Sequence, residues 1–191
     1  SPSRLESENL NNKIINKIIK PTFKGLKEMN SRFRGFLYVG LMIVDREPFL
    51  IEYNVRMGDP ECQTILPKLK TDFYEIIDAC INEKLERINI EWDKNITICI
   101  VLCSKGYPDE YENNIEIENL EKVLLKKNEF VFHAGTKIMN KKVFSNGGRV
   151  LNFVVKTKEF KDGRNDILRL INKLDWKNGF FRKDIGYKVI D

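Results

Sequence analysis

Two apolar stretches separated by a short polar turn constrain this chain more than any other feature. Residues 36–45 (FLYVGLMIVD) and 49–55 (FLIEYNV) have the length and the β-branched and aromatic content of strands. Asp45-Arg46-Glu47-Pro48 between them is a turn, so the pattern predicts a β-hairpin. Alternate side chains of a strand share a face. Glu52, Asn54 and Arg56 therefore point one way, and Ile51, Tyr53 and Val55 point the other way, into a core. Three polar groups on one face of an apolar strand are costly unless that face meets solvent or a ligand.

Around the hairpin the periodicity changes to that of helices. Residues 9–20 (NLNNKIINKIIK) set Leu10, Ile14 and Ile18 on one face, and Pro21 is expected to kink or restart the helix, which runs on to Asn30. Met57 to Glu61 (MGDPE) is a loop, and residues 62–69 read as a short helix. A longer helix is expected over 72–85, with Asp72 as its N-cap and Phe73, Ile76, Ile77, Cys80 and Ile81 as its apolar stripe. The character changes after Leu85. Residues 86–92 are expected to be a linker, with one domain over 1–85 and another over 93–191. The second begins with the apolar strand 96–103 (ITICIVLC) and continues through a β-rich region, 129–138 and 141–155, to a helix over 159–174. The fold class expected is α+β, an antiparallel sheet with helices followed by a small β-rich domain.

Composition excludes several functions. The chain of 191 residues is 42% hydrophobic, 10% aromatic and 32% charged, which suits a folded core. No apolar run approaches the ~20 residues needed to cross a bilayer, and Ser1 to Asn12 has no signal-peptide core. The expectation is a soluble, cytoplasmic protein with no membrane partner. The net charge of +5 comes from basic residues scattered among 28 acidic ones, with no helix-turn-helix, RNP or arginine-rich tract, so no nucleic-acid partner is expected. Cys62, Cys80, Cys99 and Cys103 show no CxxC spacing, and His133 is the only histidine, a poor set for zinc. Cys99 and Cys103 lie roughly 13 Å apart along a strand, too far for a disulfide. Free cysteines used as small apolar side chains are expected.

Glu52 and Asn54 lie about 7 Å apart along the strand, each with a hard oxygen. Magnesium takes a few protein oxygens and completes its shell with phosphate oxygens and water, so this pair could hold metal that bridges the phosphates of ATP. Arg56 adds a planar positive fork suited to phosphate or carboxylate. The same alternation also fits a solvated strand face with an ordinary Glu–Arg pair.

The longer string narrows the choice. Arg34 to Met42 read RGFLYVGLM and Glu52 to Gln63 read EYNVRMGDPECQ. Downstream, in order, come Ser104-Lys105-Gly106-Tyr107-Pro108, His133-Ala134-Gly135-Thr136-Lys137, Asn146-Gly147-Gly148-Arg149-Val150-Leu151 and Arg182-Lys183-Asp184-Ile185-Gly186-Tyr187. Together these resemble glycinamide ribonucleotide synthetase, or phosphoribosylamine–glycine ligase, of the ATP-grasp superfamily, over essentially the whole chain. Cys62 stands where that family often has threonine.

The resemblance implies an ATP-dependent ligase of purine biosynthesis that joins glycine to 5-phosphoribosylamine through glycyl phosphate. By motif, Glu52 and Asn54 are the Mg2+ or Mn2+ ligands and Arg56 is the catalytic cation facing the phosphates or the acyl phosphate. Asp59 and Glu61 are the substrate-binding residues for an amino group, or else stabilise their own loop. His133 reads as a structural residue inside an apolar strand rather than as a base. Gly147 and Gly148 fit either a phosphate contact or a tight turn. The segments after residue 93 resemble the family's small carboxy-terminal domain, and 1–85 the second half of its ATP-grasp domain. Complete members are much longer, so the chain is expected to be inactive alone and to need the amino-terminal half as partner. Exposed apolar surface is expected on the 36–55 hairpin and the 9–29 helix, where that half would pack. The rival readings are a biotin-carboxylase-like ATP-grasp enzyme and a non-catalytic remnant that binds a partner.

Overall fold

In the computed structural model, which describes residues 1–190, the first helical stretch runs through Pro21 without a break. Helix α1 (Glu8–Ile14) is capped by Ser7, whose hydroxyl accepts from the Leu10 N–H. It passes into a π-helical segment, Ile15–Ile19, and then into α2 (Lys20–Glu28). The expected restart is met, with Pro21 in the first turn of α2, and it comes through a widened turn just before the proline. Proline offers no N–H, and its ring clashes with the carbonyl four residues earlier. In the wider turn the Lys20 N–H reaches Ile15 O, and the Thr22 hydroxyl donates to Ile18 O at 2.7 Å. Carbonyls near the proline thus keep partners without ending the helix.

Strands β1 (Tyr38–Val44) and β2 (Glu47–Asn54) form the antiparallel hairpin. Its turn is tighter than the four-residue segment expected. Asp45 and Arg46 both take positive φ, 50° and 61°, the geometry whose twist matches paired strands. Lys13 and Lys17 both reach the Glu47 carboxylate, and the Tyr53 hydroxyl shares a hydrogen bond with Thr22 Oγ1. The expectation that Ile51, Tyr53 and Val55 enter a core fails, since they are 61%, 37% and 75% exposed. The helical stretch meets the hairpin through Tyr53 and Glu47, and Ile51 and Val55 lie outside that contact.

After β2 the chain forms α3 (Glu61–Ile65), a 3₁₀ turn (Leu66–Lys68) and α4 (Phe73–Ile81). Asp72 caps α4 by accepting from the Tyr74 N–H at 2.7 Å. The helix stops four residues short of the expected end. Glu83 turns left-handed (φ 55°) and the Lys84 N–H bonds Ala79 O, a closure that satisfies the last carbonyls. Arg34 donates to Ile81 O at 3.0 Å and pairs with Glu83, while Phe36 stacks on Phe73 at 5.9 Å. Pro2–Asp59 and Leu69–Trp92 make up this hairpin unit.

The second unit, the sheet unit, comprises Ser1, Pro60–Lys68 and the chain from Asp93 onward. By contacts, therefore, Pro60–Lys68 goes with the sheet unit, although the sequence division groups it with residues 1–85. Its elements are β3 (Ile96–Ser104), β4 (Glu129–His133), β5 (Thr136–Met139), β6 (Lys142–Ser145), β7 (Arg149–Thr157), α5 (Phe160–Leu174), β8 (Gly179–Phe180) and a last turn of helix, α6 (Tyr187–Ile190). Strands β4, β7, β3 and β8 form one antiparallel sheet in that order, and β5 and β6 form a separate hairpin. Alternation puts Ile98, Ile100 and Leu102 of β3 on one face with Leu151, Phe153 and Val155 of β7. Ile167, Leu170, Ile171 and Leu174 present the matching stripe of α5. Each such side chain contributes about 1.5–3 kcal/mol on burial, so this is the core that holds the unit together. Trp176 closes one end and donates from Nε1 to Glu116 O at 2.9 Å. Cys103 is buried and Cys62, Cys80 and Cys99 are half-buried, all four as free thiols. No helix among the described residues is long and apolar enough to cross a membrane.

Two predictions follow from these contacts. Hydrogen bonds from Lys13 and then Lys17 hold the Glu47 carboxyl below its usual range. A carboxyl depressed in the folded state stabilises above its unfolded pKa, and that contribution is lost as pH falls through the folded value. Glu47→Gln should therefore flatten the acid limb of the stability curve below the ordinary glutamate range, and less so at high salt, because the cluster is exposed. Parallel acid limbs for the two proteins would contradict this. Asn152 on β7 is 1% exposed, and neither amide atom has a hydrogen-bond partner among the described residues. Asn152→Leu should be neutral or raise unfolding free energy by about 1 kcal/mol, measured by urea denaturation.

Candidate functional site

Gly40 lies directly opposite Glu52 in the hairpin. Tyr38 pairs with Asn54 and Gly40 with Glu52, but Leu41 pairs with Leu50, so Ile51 is an extra residue, a β-bulge. The bulge resets the alternation. Glu52 shares its face with Gly40 and with the Met42–Phe49 pair rather than with Leu50. A Cβ on Gly40 would come 2.9 Å from Glu52 Cγ, so the glycine leaves room for the carboxylate's stem.

Beyond the bulge the two-residue repeat holds. Asn54 Nδ2 donates to Glu52 Oε1 at 3.0 Å, and Arg56 Nη2 donates to Asn54 Oδ1 at 3.3 Å. The second arm of Arg56 donates to Met57 O at 3.0 Å. Glu52 and Asn54 thus stand on one side of the strand, and Arg56, in the bend just past its end, reaches back to Asn54; Glu52 and Arg56 are exposed and Asn54 is half-buried. A carboxylate and an amide carbonyl supply hard oxygens, which suit Mg2+ or Mn2+. Among the described residues no three His, Cys, Asp or Glu side chains come together to hold a metal. The donor set therefore fits an ion that completes its shell with phosphate oxygens and water, not a structural metal caged by protein.

The two carboxylates of the following loop are held differently. Asp59 is exposed and belongs to the hairpin unit, next to the buried Gly58. Glu61 is half-buried at the first position of α3, and the sheet unit carries it. Within a single unit, then, the structure brings together Glu52, Asn54 and Arg56, and it does not add Glu61 to them.

In the sheet unit three of the four downstream motifs meet through their backbones. The Gly135 N–H donates to Arg149 O at 2.8 Å, and the Asn146 N–H donates to Gly135 O at 2.8 Å. The Ser104 N–H bonds Gly148 O at 2.8 Å and its hydroxyl bonds Gly147 O at 2.9 Å. A Cβ at Gly135 would meet Arg149 O at 2.7 Å, and one at Gly148 would meet Tyr107 Cδ2 at 2.1 Å. Close packing of main chains explains Gly135, and the Tyr107 ring packed on the backbone explains Gly148. Sequence reasoning treated the strings separately; the paired signals were the glycines themselves, in HAG and NGG. His133 is not inside an apolar layer. It ends β4 at an exposed position, with Nδ1 hydrogen-bonded to Thr136 Oγ1 at 2.9 Å. The fourth motif lies against α5, where Arg164 donates to Ile185 O at 3.1 Å and Lys183 O at 2.6 Å.

The sequence family described as "Phosphoribosylglycinamide synthetase, ATP-grasp (A) domain" matches residues 1–62, and "Phosphoribosylglycinamide synthetase, C domain" matches residues 97–188. These two domains of one synthetase take in well over half of the chain. The chain belongs to the phosphoribosylglycinamide synthetase family. The ATP-grasp match contains the line Glu52–Asn54–Arg56 and reaches past Glu61, while the C-domain match contains all four downstream motifs. Among similar proteins, the phosphoribosylamine–glycine ligase of Caldanaerobacter subterraneus is 42% identical over 175 residues, 92% of this chain and 41% of the relative. That of Fusobacterium nucleatum is 37% identical over 187 residues, 97% of this chain and 44% of the relative. The crystal structure of the Thermotoga maritima phosphoribosylamine–glycine ligase matches with a TM-score of 0.79 at 29% identity, covering 94% of this chain and 44% of that one. The chain thus spans less than half the length of these synthetases.

The Gly40–Glu52 contact is testable. Gly40→Ala should drive Glu52 out of its rotamer and break its bond to Asn54, at a strain of about 0.5–1.5 kcal/mol. A crystal structure of the variant with that bond intact would refute the spacer role of Gly40.

Proposed function

We propose that this chain supplies the metal- and phosphate-facing strand of a cytoplasmic, ATP-dependent carbon–nitrogen ligase of purine biosynthesis. The reaction joins glycine to 5-phosphoribosylamine and yields glycinamide ribonucleotide, ADP and phosphate. The observation that carries the reading is the run of Glu52, Asn54 and Arg56 at and just past the end of β2, joined by hydrogen bonds of 3.0 and 3.3 Å. It is supported by a family match that contains all three residues. In this reading residues 1–85 are the carboxy-terminal part of the ATP-grasp domain and 93–191 the small carboxy-terminal domain.

When bound, ATP supplies the phosphoryl group that activates the glycine carboxylate as glycyl phosphate, and Mg2+ or Mn2+ offsets the charge of the phosphates. Glu52 and Asn54 would hold that ion through their side-chain oxygens. The amide of Asn54 bonds both neighbours, so it fixes the direction of the carboxylate and of the guanidinium at once. Arg56 presents a planar cationic fork to the transferred phosphoryl or the acyl phosphate. Asp59 and Glu61 bind an amino group of the substrates through charge-assisted hydrogen bonds. The part of the synthetase that this chain does not span completes the site and acts as its partner. The exposed apolar side chains Met42, Val44, Phe49, Ile51 and Val55 of the hairpin support that role, since an apolar patch of this kind marks a packing surface.

Glu52→Ala in the full-length enzyme should lower kcat by about 100-fold or more, the scale of losing one group that stabilises transferred charge. Circular dichroism should be unchanged, because Glu52 is exposed. Turnover of glycine and 5-phosphoribosylamine at the wild-type rate would overturn the metal assignment.

A further inference from the structure

The segment that carries Glu61 is too short to hold itself in place. Helix α3 has five residues and continues only through the 3₁₀ turn Leu66–Lys68. Helices of this length have no independent stability, and the last carbonyls of a helix need outside partners. Both partners come from one cross-strand pair of the sheet. Thr97 on β3 and Lys156 on β7 are direct antiparallel neighbours, so their side chains share a face. This face is opposite the one packed on α5, since Ile98 and Val155 point to the core.

Thr97, fully buried, donates from Oγ1 to Thr64 O at 2.5 Å. Lys156 donates from Nζ to Pro67 O at 3.3 Å and pairs with Asp93 at 2.8 Å, with side chains only 18% and 19% exposed. The Asp93 N–H in turn donates to Lys68 O at 2.7 Å. A cation at the carboxyl end of a helical segment also meets its partial negative charge. Thr64, the residue gripped by Thr97, donates from its own hydroxyl to Glu61 O at 2.8 Å. A continuous run of hydrogen bonds therefore leads from the sheet to the backbone of Glu61.

We propose that Thr97 and Lys156 are positioning residues for substrate: they clasp α3 and so fix Glu61 where it meets the amino group of glycine or 5-phosphoribosylamine. The inference rests on the substrate role given to Glu61 above. It makes the sheet unit a determinant of substrate affinity.

The test uses the full-length enzyme. Thr97→Val and Lys156→Met should each raise the KM of the amine or amino-acid substrate about tenfold, the scale of one lost hydrogen bond to a charged group. The KM for ATP should stay unchanged, and kcat should move by less than about threefold, as for lost uniform binding. Lys156→Arg, which keeps charge and donors, should recover most of the loss. Hydrogen exchange at the amides of residues 61–66 should be faster in both variants. Combined with Glu61→Ala, neither substitution should add a further loss, because residues acting through one another are not additive. Losses that add to that of Glu61→Ala, or unchanged exchange at 61–66, would overturn the clasp while leaving the role of Glu61 standing. A Glu61→Ala enzyme with normal substrate KM would overturn the role of Glu61 and the proposal with it.

Discussion

An extended strand shows a new side to its surroundings every second residue, and the candidate chemistry of this chain depends on where that count is reset. The extra residue at Ile51 is the reset. Without it, strict alternation would place Leu50 on the Glu52 face, and the carboxylate would start from a different neighbour set. With it, Glu52 stands over Gly40, the position in β1 that can leave room for its stem. From there Asn54 follows in register and Arg56 in the bend beyond it, each hydrogen-bonded to the one before. A bulge next to a polar row is a common way to re-aim a side chain, and it costs one unpaired residue on the ladder. The exposed Ile51 is that residue.

The bulge also explains what could be read in the sequence and what could not. That Glu52 and Asn54 share a side is a local property of an extended backbone, so alternation alone predicted it; Arg56 lies past the strand's end and joins them through its bond to Asn54. The resemblance carried by RGFLYVGLM and EYNVRMGDPECQ added the chemistry that alternation left open. The opposite face was misjudged. An apolar side chain announces that it prefers burial but not what will bury it, and within its unit Val55 has little cover. Helix α4 was legible from its stripe and its Asp72 cap, yet its end was not, because a non-glycine residue, Glu83, takes the left-handed position. Pro21 signalled a restart and stands in the first turn of α2, but the π-helical turn before it was not legible, since no residue type marks such a turn in advance. His133 lay in an apolar string and still ended at an exposed strand terminus, since a string does not say where its strand stops.

The knitted loops of the sheet unit show a second limit of linear reading. The glycines of HAG and NGG look like two turns along the sequence. In space they are one contact, in which Gly135 and Gly147 allow main chains to approach more closely than any side chain permits. Such a contact joins the ends of β4, β3 and β7 through backbone bonds and the Ser104 hydroxyl. It favours a structural account of these motifs over a phosphate loop, because the Ser104, Gly135 and Asn146 N–H groups already donate to main-chain carbonyls.

The division of the chain into two units gives the GDPE loop a meaning that neither its composition nor its spacing suggests. Asp59 is referenced to the hairpin unit and Glu61 to the sheet unit, although they are two residues apart. A loop that simply stabilised itself with its own carboxylates would gain nothing from this arrangement. A loop whose second carboxylate must be held at a defined place gains a great deal, because α3 is anchored by the buried Thr97 and the half-buried Lys156 of the sheet rather than by its own few backbone bonds. Half-buried, paired charges such as Lys156 and Asp93 add little net stability, since desolvation offsets part of their attraction. Their retention beneath a five-residue helix is better explained by the geometry they impose. In the proposed reading the sheet unit acts on substrate affinity by fixing the backbone of Glu61, a residue that it does not itself replace.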